Sequence, residues 1–180
     1  METTQRNSDW EQMTTVKKGN VGEQLVQEFL EKNGFVCYKS VSDGAHPFDF
    51  LCVKDKRLAI AAEVKTKSLM NKYNGTGFNK STYEDYIAFS QKHNIKIFVF
   101  FVDEHLQKIY GNWLHVLDEK REETLGNGES VFFPVEIKTK YNRVIRIYPY
   151  SAMRLITDIP PDVVSELKNL SQRNYAYRTA

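Results

Sequence analysis

The sequence predicts an α/β domain in which a mixed β-sheet is flanked by helices. Three observations carry that expectation. Apolar residues recur at helical spacing near the start, several short apolar runs of strand length are punctuated by Gly, Asn, Asp and Pro, and one run, Ile97-Phe98-Val99-Phe100-Phe101-Val102, holds no polar residue at all.

Val21, Leu25, Val26, Phe29 and Leu30 follow helical spacing and Asn33-Gly34 supplies a stop, so residues 21–33 are predicted to form an amphipathic helix. Residues 35–38 and 48–53 read as strands separated by the turn Ser42-Asp43-Gly44-Ala45-His46-Pro47. Lys54-Asp55-Lys56 has hairpin length, and the apolar run 58–64 suits a buried strand. The stretch 66–80, rich in Asn, Gly, Lys and Ser, is expected to be a long loop leading into a helix over 81–93. The all-apolar run falls in a strand over 95–102, expected at the centre of the sheet because neither face presents a polar side chain to water. Further strands are predicted over 107–110, 131–133 and 144–148, with short helices over 112–117 and 161–170.

A chain of 180 residues can bury a core without disulfides or structural metal. The expected division is an N-terminal tail over 1–16, a main α/β domain over 17–160, and a C-terminal helix and tail over 161–180. No apolar run approaches the roughly 20 residues that span a bilayer, and the polar start lacks a secretory core, so a cytoplasmic protein is expected. Cys37 and Cys52 lie in strand-like apolar runs and are expected to be buried free thiols. The net charge of +2 is too small to mark a general nucleic-acid binder, so any basic face must be local.

The chemistry-bearing residues gather at strand ends. Asp49 interrupts Phe48 and Phe50, while Glu63 and Lys65 end the next strand and share one of its faces by the two-residue period. Two hard oxygen ligands with water positions left open favour Mg²⁺, with Mn²⁺ as a substitute, and no nearby His/Cys set supports zinc. Phosphodiester hydrolysis suits such a site: the metal polarises the phosphate and acidifies a water, and Lys65 positions that water or offsets transition-state charge.

The segment from His46 to Lys67, HPFDFLCVKDKRLAIAAEVKTK, resembles the PD-(D/E)XK nuclease superfamily, with Asp49 in the acidic position and Glu63-Val64-Lys65 as the second half. Lys17-Lys18-Gly19-Asn20-Val21-Gly22-Glu23 and the following helix resemble the opening of archaeal Holliday-junction resolvases and related phage, mobile-element or restriction nucleases; the likeness spans 17–102. It implies a restriction-endonuclease-like fold, an endonuclease acting on DNA, including branched or junction DNA, and a homodimer that cuts two strands. It also implies a metal held by Asp49, Glu63, the Val64 carbonyl and Glu23, with Glu23, Asp49, Glu63 and Lys65 catalytic. Helical geometry agrees, since Glu23 lies beside Leu30 at the border of the apolar arc while Glu31 points away; Glu28 also borders the arc, on its opposite edge. Phe48 precedes Asp49 and Pro47 stands one place earlier, so the literal Pro-Asp pair is absent.

The sequence carries a near-copy, Glu136-Ile137-Lys138-Thr139-Lys140, which follows Pro134 and has no Asp embedded in a preceding apolar strand. It reads as a solvated strand edge. Lys67, Lys72 and Lys80 flank the Gly-containing stretch with Asn71, Asn74 and Asn79, suiting either phosphate contacts or a solvated loop. Tyr83 and Tyr86 either stack on an exposed base or pack against the sheet, and Gln91 and Lys92 are weaker contact candidates. Two rival functions stand beside a DNA nuclease: a noncatalytic nucleic-acid-binding or assembly module, and an RNA nuclease.

Overall fold

In a computed structural model, the described residues are 13–39, 48–55, 58–67 and 70–179, with the backbone alone described for residue 71 and for 172–179. The predicted turn at 42–47, including His46, lies outside them, as does most of the N-terminal tail. In chain order the elements are α1 (Thr14–Lys32), β1 (Val36–Lys39), β2 (Phe50–Lys54), β3 (Leu58–Thr66), a 3₁₀ turn (Asn71–Tyr73), β4 (Gly75–Asn79), α2 (Lys80–His93), β5 (Lys96–Asp103), β6 (Lys108–Trp113) and α3 (Leu114–Leu117). Then follow β7 (Arg121–Thr124), β8 (Ser130–Phe133), β9 (Val135–Lys138), β10 (Val144–Pro149), a second 3₁₀ turn (Tyr150–Ala152), β11 (Arg154–Asp158) and α4 (Pro161–Thr179).

The main sheet runs β1-β2-β3-β5-β6-β11. Among the described residues of this sheet only β3 and β5 pair in parallel, linked through β4 and α2, and the other neighbours are antiparallel, so the expected mixed α/β sheet is present. Alternation along β3 and β5 splits their side chains between two cores. Ile60, Ala62, Val64, Phe100 and Val102 pack under α1 and α4 with Val26, Leu30, Val164 and Leu167. Ala61, Val99 and Phe101 pack on the other face with Phe78, Tyr86, Leu114 and Tyr148. Cover on both faces is why β5 tolerates no polar residue between Ile97 and Val102.

Several expectations are corrected. The stretch 66–80 is not a long loop, because Gly75–Asn79 forms β4 and joins β10 and β9 in a second sheet. Its glycines oppose strand formation by propensity, yet they admit the partner: a Cβ on Gly77 would sit 2.0 Å from the Arg146 carbonyl oxygen. The charged stretch at β7 pairs with β8, and β11 pairs with β6 as a sheet edge, neither of which the sequence disclosed. α1 begins earlier than expected, at Thr14, and α4 continues beyond residue 170 to Thr179. Cys37 and Cys52 are free thiols at paired positions of β1 and β2, with Sγ atoms 3.3 Å apart. Cys52 is buried but Cys37 is half-buried, and burial pushes both thiols up. Among the described residues, no helix is long and apolar enough to cross a membrane.

Candidate active site

The β2–β3 register decides where the acids meet. Phe50 pairs with Ala62, so Asp49, one residue before β2, falls opposite Glu63, and opposed residues of antiparallel strands present side chains to the same face. Asp49 is fixed there by its Oδ2, which accepts the Val64 N–H at 2.7 Å. Glu63 lies in an interior strand and is only 4% exposed. A carboxylate so placed needs a positive partner, and the Lys65 ammonium supplies one on the same strand face. That ammonium rests on an aromatic floor, 5.9 Å from the ring centroid of Phe78 and 5.8 Å from that of Tyr86.

The electrostatics remain unbalanced on the acidic side. Burial, then the charge of Glu63, push the Asp49 carboxyl up to about 7; Glu23 adds to the rise, while the Val64 N–H and Lys65 oppose it. Tyr86, itself buried, turns its hydroxyl toward Glu63, and burial and that carboxylate raise its pKa.

Glu23 approaches from the opposite face of the sheet. Gly22 makes this approach close, since a Cβ there would stand 1.9 Å from Thr66 Oγ1 at the end of β3. Helix and strand therefore touch beside the acids. The Glu23 carboxylate nevertheless bonds Lys39 Nζ at 2.5 Å, and among the described residues no group of three His, Cys, Asp or Glu side chains is close enough to hold a metal ion. The expected ligand set is thus only partly assembled: Asp49 and Glu63 are together, and Glu23, near enough to act on Asp49, is paired with Lys39.

The pair still fits a hard divalent cation. Its donors are carboxylate oxygens, they repel each other across adjacent strands, and Mg²⁺ is commonly held by only one or two carboxylates together with waters and substrate phosphates.

The three predicted contact lysines are unlike one another. Lys67 is half-buried just beyond β3, on the face of Lys65. Lys72 is exposed, 5.2 Å above the Tyr73 ring. Lys80 donates to Glu136 at 2.8 Å, so its charge is already matched. Tyr83 is likewise occupied, donating to Asp118 at 2.7 Å beneath the Arg146 guanidinium. Sequence reasoning missed the part played by Gly22 and the contact of Tyr86 with Glu63 and Lys65. The Gly22-Glu23 pair was visible, but its meaning depended on which strand end the helix would meet.

No known protein family matches the chain, and no curated protein matches it. Among solved structures it is similar to Hjc of Archaeoglobus fulgidus, a Holliday junction resolvase from an archaeal hyperthermophile, at 18% identity and a TM-score of 0.45. The likeness covers 56% of this chain and 81% of that one, and at this distance it assigns no residue.

Proposed function

We propose that the chain is a Mg²⁺-dependent endonuclease that hydrolyses DNA phosphodiester bonds. The observation that carries this reading is the convergence of Asp49, buried Glu63 and Lys65 on one face at the ends of paired strands. Asp49 and Glu63 would hold the ion, with the Val64 carbonyl and Glu23 as further oxygen donors once Glu23 exchanges Lys39 for it. When bound, the ion supplies Lewis-acid polarisation of a phosphate oxygen and acidifies a water. Lys65, leaving Glu63 for the phosphate, donates to a non-bridging oxygen from its aromatic floor. Lys72 offers an exposed charge to the flanking backbone. Branched or junction DNA as substrate, and a homodimer, belong to this reading through the sequence resemblance of residues 17–102.

A noncatalytic nucleic-acid-binding or assembly module is the second reading. It is favoured by one observation: Glu63 and Glu23 are each closed by a lysine. The two readings separate when wild-type protein with Mg²⁺ or Mn²⁺ is offered linear, branched, flapped and single-stranded DNA and RNA beside Asp49→Ala, Glu63→Ala and Lys65→Ala. The nuclease reading expects DNA cleavage lost in all three variants. Binding without cleavage of any substrate establishes the module, and cleavage of RNA alone corrects the substrate.

A further inference from the structure

Glu63, Lys65 and Lys67 form a row along one face of β3, because alternate residues of a strand point the same way. The first two neutralise each other. Lys67 sits one residue past the strand, where its backbone is still anchored by an N–H bond of 3.1 Å to the Val102 carbonyl. Its side chain is half-buried, and among the described residues its ammonium has neither a hydrogen-bond nor an ion-pair partner. The charge that acts on it is that of Lys65, of the same sign; burial and this repulsion pull the Lys67 ammonium down to about 8.

Partly withdrawing an ammonium from water beside a like charge is unfavourable, and among the described residues no anion compensates it. Lys80 and Arg146, by contrast, are matched, Lys80 by Glu136 and Arg146 by Asp118 and Glu136. Lys67 therefore differs from a solvated surface lysine in both respects that matter: it is half-buried, and among the described residues it has no anionic partner.

We infer that Lys65 and Lys67 form a two-ammonium seat for a single phosphate group, with Lys67 as the permanently available half. Lys65 turns from Glu63 to the same phosphate when it arrives. That the phosphate is a nucleic-acid backbone phosphate rests on the nuclease reading; the seat itself rests on the row of side chains and the unmatched charge.

The test is an NMR titration in chelator, without metal, using inorganic phosphate in one arm and a short oligonucleotide lacking terminal phosphates in the other. Saturable shifts of the 64–67 amides are expected in at least one arm, and the arm that responds identifies the source of the phosphate. Lys67→Met should weaken that binding about tenfold, as for the loss of one charge-assisted contact. Its melting temperature in the free state should be unchanged or raised, since a half-buried charge held beside a like charge has gone. Lys67→Arg should restore binding to within about threefold, and Lys96→Ala, at the other end of β5, should leave it unchanged. Absence of saturable shifts in both arms, or a Lys67→Met protein that binds as wild type does, overturns the seat. The nuclease reading fails separately: a protein that binds phosphate through Lys67 yet cleaves no nucleic acid keeps the seat and loses the enzyme.

Discussion

Glu63-Val64-Lys65-Thr66-Lys67 and Glu136-Ile137-Lys138-Thr139-Lys140 differ only in Val64 and Ile137, yet they occupy opposite electrostatic situations. Glu63 stands in an interior strand with a second acid, Asp49, on the adjoining strand. Glu136 stands in the edge strand β9, its register partner is Arg146, and it accepts from Arg146 at 2.6 Å and from Lys80 at 2.8 Å. Those two cations hold its carboxyl below the usual range, whereas the neighbours of Asp49 push that group upward. The short motif is thus chemically mute by itself. Both glutamates have a lysine or arginine partner, Glu63 through Lys65; what separates them is that the adjoining strand sets a second acid, Asp49, beside Glu63 and a cation, Arg146, opposite Glu136.

The largest expected difference is in activity. Glu63→Gln should lower metal-dependent cleavage by about 100-fold or more, the scale for removing a group that stabilises developing charge. Glu136→Gln should cleave within about twofold of wild type in the same gel assay, and equal losses in the two variants would break the comparison. Next comes the helix contact that only the first segment has. Gly22→Ala should destabilise the fold by about 1–3 kcal/mol in denaturant melts, because the new methyl meets Thr66 and overpacks the α1–β3 contact. Thr66→Ala in the same chain should recover part of that loss, and no recovery would remove the contact as the cause.

The acid pair gives a smaller effect of unusual sign. The carboxyl of Asp49 is raised, so its contribution to stability is fully present below the ordinary value of 3.8 and is lost as pH rises through about 7. Without metal, Asp49→Asn should therefore be more stable than wild type at pH 8, on the order of 1 kcal/mol, and should lack that pH dependence. The smallest effect is at Glu136, whose depressed pKa contributes stability above the ordinary carboxylate value that is lost as pH falls through its lowered one. Because the group is exposed, the expected readout is an NMR titration: Lys80→Ala should move the Glu136 carboxyl back toward its usual range.

Much of this was legible in the sequence where one local rule sufficed. Helical spacing gave α1, continuous apolarity gave β5, and the period of two placed Glu63 and Lys65 on one face. The solvated edge at Glu136 was also readable from Pro134 and the missing Asp, although its two cationic partners were not. What stayed hidden depended on distant pairing. Gly75-Thr76-Gly77-Phe78-Asn79 has little strand propensity and becomes β4 because β10 accepts its bare backbone. Arg121-Glu122-Glu123-Thr124 reads as solvated charge and becomes β7 only beside β8. Lys80 looked free to meet phosphate until β9 brought Glu136 to the start of α2, and Glu23 looked free until the end of β1 brought Lys39 to it.

The proposed metal-binding centre is the Asp49–Glu63 pair, not the near-copy at Glu136. Mn²⁺ binding followed by electron paramagnetic resonance tests it most directly, in the protein alone and without any substrate. The expected result is saturable binding in wild type, its loss in Glu63→Gln and in Asp49→Asn, and its retention in Glu136→Gln. Binding that survives both Glu63→Gln and Asp49→Asn, or that disappears in Glu136→Gln, would contradict the account.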